Sequence, residues 1–259
     1  MKSNILIHLV IVLTELHLFS NKNLLYGQNH DAELIYQETN ISVVNGTIHK
    51  SVSYEIKIYN RKGEKFTQVE IPYSGLNKVS KIEAYIKDNR GNIIKKLKKN
   101  DISDRSYISE GSFYEDNYIK KFTLKHNIYP YSISCSYQVQ QREFFTLDEW
   151  SPVIDKNIPT LRAVLKLEVP KDYGILYSSC NIDSFNTDSS GITNKYKWKA
   201  SYKDIITPEV FSPPIENFLP SVEIVPKNFK YDIPGSFDNW QTFRLRCRRV
   251  RVSALHYQE

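Results

Sequence analysis

Short runs in which apolar and polar residues alternate recur along this sequence, and they constrain the fold more than any other feature. Residues 52–58 form one such run, and the clearest one covers residues 161–169. A period of two residues places successive side chains on opposite faces of a β-strand. No twelve-residue window shows apolar residues at helical spacing. The sequence therefore predicts an all-β protein, an antiparallel β-sandwich in which each sheet buries one face.

Turn-forming residues and prolines divide these runs. Residues 88–92, Asp-Asn-Arg-Gly-Asn, predict a hairpin turn because Asp, Asn and Gly tolerate a positive φ. Residues 186–191 predict a polar hairpin loop between strands at 175–177 and 196–200. Six prolines punctuate residues 208–234. This density predicts neither helix nor central strand, but an extended segment that runs along the domain surface.

The N-terminus and the composition indicate the compartment. Lys2 is followed by an apolar stretch at residues 5–13, interrupted by His8, which is typical of a secretory signal; an uncleaved anchor is the alternative. A hydrophobic content of 41% with 25% charged residues excludes a disordered chain. After residue 20 no apolar run reaches the length of about 18 residues that a membrane span needs. We expect a secreted or periplasmic protein without a transmembrane span after signal cleavage.

The formal net charge of +6 is concentrated at the C-terminus. Five of the ten arginines lie within residues 244–251, whereas residues 1–243 contain 25 lysines and five arginines. Without residues 244–259 the net charge is +2. A basic face for nucleic acid is therefore not expected.

These features divide the chain into four segments. We expect a signal peptide at residues 1–27, a β-sandwich domain at 28–205, a Pro-rich extended connector packed on the domain at 206–235, and the start of a following domain with an Arg-rich tail at 236–259. Ser236 to Trp240 has the pattern of a helix N-terminus.

The order of several short motifs resembles a known family. In sequence order these motifs are the Asn-Arg-Lys-Gly-Glu turn at 60–64, the hairpin at 88–92, the strand around Cys135, Trp-Ser-Pro at 150–152, Tyr-Lys-Trp at 196–198, Phe-Leu-Pro-Ser-Val-Glu-Ile at 218–224 and the Ser236 to Trp240 segment. This order resembles the uncharacterised, secreted β-sandwich family that precedes a transglutaminase-like domain in exported bacterial proteins. The resemblance implies that Ser236 opens the first helix of that catalytic domain, whose Cys, His and Asp carry the chemistry.

The resemblance ends at Phe243, where the arginine-rich tail begins. We therefore expect a truncated or frame-shifted product that lacks the catalytic domain. Translation of the downstream DNA in the other two frames tests this expectation, because a transglutaminase-like sequence should then resume.

No residue set in the sequence has the spacing of a catalytic or metal site. His30, His49 and His126 have no Cys or carboxylate partner at a suitable spacing. We predict no catalytic residues, no metal and no cofactor.

Cys135 lies on the apolar face of a predicted strand, and the spacing leaves open whether it is bridged to Cys180. Asp148 and Glu149 are adjacent in sequence, so in a strand they point to opposite faces, against joint acid–base catalysis.

Loop aromatics are the remaining functional lead. Five of them are candidates for contact with a ligand or partner, because aromatic rings beside polar residues stack on sugars or bind proteins: Tyr107, Phe113, Tyr114, Phe145 and Trp150. Loops that close the end of a sandwich bury aromatic residues equally well.

Two functions follow from this reasoning. The first is a non-catalytic accessory module whose partner is an adjacent or separate transglutaminase-like domain. The alternative is a stand-alone envelope protein that binds a cell-envelope glycan or peptide.

Overall fold

The computed structural model describes residues 30–106, 117–207, 209, 211–231 and 233–237. These residues form sixteen strands, numbered β1 to β16 along the chain, and three short 3₁₀ helices at Arg61–Thr67, Lys99–Asp101 and Ile215–Phe218. No helix in the described ranges is long and apolar enough to cross a membrane.

One large sheet forms the frame of the molecule. Its eight strands, in spatial order, are β12 (Ser184–Asp188), β13 (Thr193–Tyr202), β10 (Thr160–Pro170), β1 (Ala32–Val44), β2 (Thr47–Ile58), β8 (Tyr131–Gln141), β4 (Asn77–Lys87) and β5 (Ile93–Lys96). Neighbouring strands are antiparallel except β1 and β10, which run parallel.

Three smaller sheets complete the fold. One contains β11 (Ile175–Cys180), β14 (Ser221–Pro226) and β9 (Asp148–Trp150), and a second contains β3 (Gln68–Ser74), β7 (Asn117–Thr123) and β6 (Ser103–Ser106). The strands β15 (Asn228–Tyr231) and β16 (Ile233–Ser236) form a hairpin. The architecture is all-β and mainly antiparallel, which confirms the predicted fold class.

Both three-stranded sheets cover the same face of the large sheet. On β2 the even-numbered residues face this side, where Ile56 contributes to one core and Ile48 to another. The first core lies under β3 and β7 and includes Leu34, Ile56, Ile58, Val69, Ile71, Ile86, Phe122 and Ile133. The second core lies under β14 and β9 and includes Ile41, Val43, Ile48, Trp150, Leu165, Trp198, Val222 and Ile224. One sheet thus supports two cores side by side.

A β-bulge in β1 lets this strand serve both cores. The register with β2 shifts between Leu34 and Tyr36, so that one extra residue is inserted in β1. Leu34 and Ile41 therefore point to the same face although their sequence separation is odd. Strict alternation in the sequence would place them on opposite faces.

The hairpin between β4 and β5 is present as predicted. The Asp88 carboxylate accepts hydrogen bonds from the backbone N–H groups of Arg90 and Asn92, at 2.8 and 2.9 Å. Gly91 has φ +85°, the left-handed conformation that glycine adopts without a steric penalty. The turn residues thus fix this reversal.

Two predictions for the second half of the chain are wrong. Residues 221–226 form β14, the central strand of its sheet, although a central strand was excluded there. Pro220 precedes this strand, and Pro226 is its last residue. The backbone N–H groups of residues 221–225 therefore remain available for pairing with the neighbouring strands. The predicted hairpin loop 186–191 also begins inside a strand, β12. At the predicted helix start, Ser236 is the last residue of β16, and residues 238–240 lie outside the described part.

Candidate functional site

The second face of the large sheet is polar, and we call it the open face because neither three-stranded sheet lies on it. On β2 it carries the odd-numbered residues, such as His49 and Ser51, and on β8 the residues Gln138 and Gln140. Strand alternation that buries Ile48 and Ile56 on one side places these polar side chains on the other.

Strand register aligns the polar side chains of the open face into two rows that cross six strands. The first row, in order from β12 to β8, is Asn186, Lys197, Lys166, Asn40, Ser51 and Gln138. The second row is Asp188, Lys195, Glu168, Ser42, His49 and Gln140. Neighbouring positions in a row belong to adjacent strands.

These two rows line a groove of about 720 Å³. Six strands spaced about 4.8 Å apart give the groove a length of about 24 Å. Such a length accommodates an extended polymer better than a compact small molecule. Hydroxyl, amide, ammonium and carboxylate groups along the groove supply both hydrogen-bond donors and acceptors.

Charges occupy only one half of the groove. The ends of the rows on β12, β13 and β10 contain three lysines and two carboxylates, whereas the β1, β2 and β8 positions are uncharged amides, hydroxyls and one imidazole. Glu168 accepts a hydrogen bond from the Thr193 hydroxyl at 2.8 Å. Within the described residues Lys197 forms no ion pair, and its ammonium is therefore available to a ligand.

A hydrogen-bonded carboxylate fixes the middle of the open face. Glu38 on β1 accepts hydrogen bonds from Lys166 Nζ at 2.7 Å, from Asn40 Nδ2 at 3.0 Å and from the Tyr36 hydroxyl. Desolvation raises the pKa of Glu38, but these hydrogen bonds outweigh it and lower the pKa to about 2. The carboxylate is therefore ionised at neutral pH and holds Lys166 and Asn40 in position.

A smaller cleft lies on the covered face, between the two three-stranded sheets. It has a volume of about 320 Å³ and contains the Lys50 Nζ–Asp148 Oδ1 ion pair, with a separation of 2.6 Å. The Asp148 side chain is 9% exposed, whereas Glu149 is exposed, so the two adjacent carboxylates point apart. Burial raises the pKa of the neighbouring Tyr137 to about 12. This ion pair links β2 of the large sheet to β9.

Two of the five aromatic residues predicted to contact a ligand are described, Phe145 and Trp150, and they differ in exposure. Trp150 is 4% exposed and packs in the second core as part of β9, so the prediction of a loop aromatic is wrong for this residue. Its position in β9, opposite Val222 of the central strand, turns the ring toward the large sheet. Tyr107, Phe113 and Tyr114 lie outside the described residues.

Phe145 is the predicted contact residue that does reach the surface, with 41% of its area exposed. Its ring contacts Phe229 of β15 at a centroid distance of 5.0 Å, and Phe229 contacts Phe237 at 4.8 Å. Phe145 therefore contacts the chain's own C-terminal hairpin.

Cys135 and Cys180, the two cysteines in the described part of the chain, are both free and form no disulfide. Burial raises the pKa of the Cys135 thiol to about 11, so it is protonated at neutral pH. Cys180 is exposed, and its Sγ lies 3.7 Å from the carbonyl oxygen of Asn217. In the described ranges no three His, Cys, Asp or Glu side chains cluster as metal ligands.

Sequence reasoning missed the groove residues. The signal that marks them is the polar half of each alternating run, because Lys166 and Glu168 stand between the buried residues of β10, and Ser51 between those of β2. Which polar residues become neighbours depends on the order of the strands, and this order is not local in sequence.

Comparison with solved structures shows the same fold in part of another protein. A putative protease from Parabacteroides distasonis matches with a TM-score of 0.65 and 13% identity, over 75% of this chain and 40% of that chain. The chain thus spans less than half the length of this protein, and the low identity makes the likeness one of fold alone.

Two further structures resemble the chain only loosely. They are the Legionella pneumophila aminopeptidase A (TM-score 0.32, 10% identity, 77% of this chain and 22% of that chain) and yeast LTA4 hydrolase (TM-score 0.35, 11% identity, 76% of this chain and 29% of that chain). No curated protein matches the sequence.

A family model gives the assignment. It describes a domain of unknown function for which a solved structure exists, DUF3857, and it matches residues 45–204. The match covers the strands β2 to β13, which carry ten of the twelve groove positions, and only Asn40 and Ser42 on β1 precede it. Because the matched range is more than half of the sequence, the chain belongs to the DUF3857 family.

Proposed function

We propose that this chain is a non-catalytic accessory module of a secreted protein, and that its groove holds an extended polymer for a transglutaminase- or protease-like catalytic domain. The observation that carries the proposal is the pair of polar rows across six strands of the open face. The likeness to the putative protease supports it, since the shared fold covers 40% of that chain and more than half of that protein lies outside it.

The chemistry of the groove suits holding rather than bond breaking. Side-chain amides and hydroxyls such as those of Asn40, Ser51 and Gln138 form hydrogen bonds with the amides of a peptide or the hydroxyls of a glycan. Lys166 is already ion-paired with Glu38, and on β1, β2 and β8 the groove positions are amides, hydroxyls and one imidazole. A buried, protonated Cys135 is a poor nucleophile, because the thiolate is the reactive form.

The test is a kinetic one. A transglutaminase-like domain from the same organism is assayed on a long peptide substrate with and without the full chain. The proposal predicts that the chain lowers the KM for the long substrate and leaves kcat unchanged, because it contributes binding and not chemistry. With the double variant Lys166→Ala and Lys197→Ala, the reduction of the KM should be about tenfold smaller.

The matched control is Lys62→Ala with Lys203→Ala, which removes two exposed lysines outside the groove. This control should retain the full effect on KM. Turnover of the peptide by the chain alone would contradict the proposal, as would an equal loss of effect in the control.

A second candidate function is a stand-alone envelope protein that binds a glycan or peptide. The uncharged half of the groove favours it, because Asn40, Ser51 and Gln138 can bind a polymer without a partner domain. Co-sedimentation of the purified chain with peptidoglycan, lost in Asn40→Ala with Gln138→Ala, supports this candidate. An effect only in the presence of the catalytic domain supports the first.

A further inference from the structure

The two edge strands of the large sheet differ in how well they are protected against pairing. At one edge, β5 is four residues long, its register with β4 shifts near Ile86, and it carries Lys95 and Lys96. Lysines, short length and bulges are the features by which soluble proteins block pairing of an open sheet edge. At the other edge, β12 contains neither lysine nor proline, and its five residues pair with β13 without a register shift.

Among the described residues, a second sheet edge without these protective features lies next to β12. Strand β11 is the outer strand of its three-stranded sheet, and its six residues are uncharged and contain no proline. The ring of Tyr177 on β11 lies 5.2 Å from that of Phe185 on β12 and 5.5 Å from Trp198. The open edges of the two layers therefore lie side by side, joined by aromatic rings.

Apolar surface accompanies these edges. Leu176 and Tyr177 on β11 are 45% and 44% exposed, and Ile192 in the loop after β12 is also exposed. Exposed apolar side chains beside unpaired backbone groups favour the addition of another strand.

We propose that this end of the molecule pairs with a second copy of the same chain, with β12 antiparallel to β12 of the partner. With Asn186 at the two-fold axis, Ser184 faces Asp188 of the other copy and Phe185 faces Thr187. No like charges then face each other in a β12 pair, and a two-fold interface uses the same surface on both copies. At the β5 edge the same arrangement would bring lysines near lysines, which is unfavourable.

The pairing has a consequence for the groove. Both polar rows begin on β12, at Asn186 and Asp188. Pairing through β12 makes the open faces of the two copies continuous, and the first row of each copy, which begins at Asn186, continues into the first row of the other. The inference does not depend on the identity of the polymer, and it stands or falls separately from the proposed function.

The experiment measures the mass of the full chain by sedimentation equilibrium over a range of concentrations. We expect a species of twice the chain mass. Thr187→Lys places a charge in the pairing edge and should weaken the dimer by about tenfold or more. The matched control is Ile94→Lys in β5, at the protected edge, and it should leave the dimer unchanged. Thermal unfolding of each variant verifies that it is folded.

A cross-link identifies the interface directly. In a Cys180→Ser, Cys247→Ser background, Asn186→Cys places two cysteines opposite each other across the two-fold axis, within reach of a disulfide. We expect a covalent dimer under oxidising conditions. A wild-type chain that stays monomeric overturns the inference, and so does a dimer that is insensitive to Thr187→Lys and forms no cross-link at position 186.

Discussion

At the scale of single residues, Glu38 is the charge on which the open face depends. Its pKa is lowered to about 2, so it contributes stability that is fully present above the unfolded-state pKa of about 4.3 and is lost as the pH falls toward about 2. We expect Glu38→Gln to lower the unfolding free energy at about pH 7 by about 1 kcal/mol, a value that allows for its partial exposure.

Urea unfolding at a series of pH values measures this effect. The difference between the variant and the wild type should shrink as the pH falls below about 4.3 and vanish below about pH 2, because protonation of Glu38 removes the same charge. Glu83→Gln, at an exposed position of β4, is the control and should follow the wild-type curve. A variant as stable as the wild type at neutral pH would show that the hydrogen bonds to Glu38 contribute nothing.

Trp150 is a core residue, and its substitution should affect stability. Trp150→Ala removes a side chain that is 4% exposed from the second core and should destabilise the fold by about 3–5 kcal/mol. Phe145→Ala, which removes a half-exposed ring at the C-terminal hairpin, should cost about 1 kcal/mol. Chemical denaturation of both variants measures the difference, and equal losses would contradict the assignment of Trp150 to the core.

At the scale of elements, the lysines of β5 should act against aggregation. Lys95→Thr with Lys96→Thr replaces two exposed charges at a sheet edge by a residue that favours strands. We expect similar stability but faster aggregation, measured by light scattering at elevated temperature. Lys62→Thr with Lys203→Thr removes the same charge at two exposed positions outside the sheets and should aggregate like the wild type. An equal increase in both variants would assign the effect to net charge.

The sequence predicts the strands in which apolar residues alternate clearly with polar ones. It misses the strands whose formation depends on pairing with a neighbouring strand. Strands β2, β8 and β10 alternate clearly and were predicted at about their observed positions. Strand β12 has one apolar residue in five and therefore no such alternation. It forms because all five of its residues pair with β13. Strand β14 was excluded on its prolines, which bound the strand and do not interrupt the residues between them.

The candidate site was less accessible to prediction than the strands. A polar residue that alternates with buried ones gives the same sequence pattern whether its side chain faces bulk solvent or a groove. Lys166 and Lys197 become neighbours because β10 and β13 pair, and Asn40 joins them because β1 and β10 run parallel. The pairing of β1 with β10 joins segments more than a hundred residues apart, which no local pattern encodes.

At the scale of the whole molecule, two cores share one set of strands. Strand β1 contributes Leu34 to the first core and Ile41 to the second, and β2 contributes Ile56 and Ile48 in the same way. Loss of either core removes the support of strands that the other core needs. The two cores should therefore unfold as one cooperative unit.

Tryptophan fluorescence tests this cooperativity because Trp150 and Trp198 both lie in the second core. In a Trp240→Phe background, Ile56→Ala in the first core should lower stability by about 2–5 kcal/mol. It should shift the fluorescence transition as far as the transition measured by far-UV circular dichroism, although Ile56 belongs to the other core. Leu165→Ala, in the second core itself, is the positive control. If the cores were independent, Ile56→Ala would leave the fluorescence midpoint in place and produce a separate early transition in circular dichroism, because only the strands under β3 and β7 would unfold.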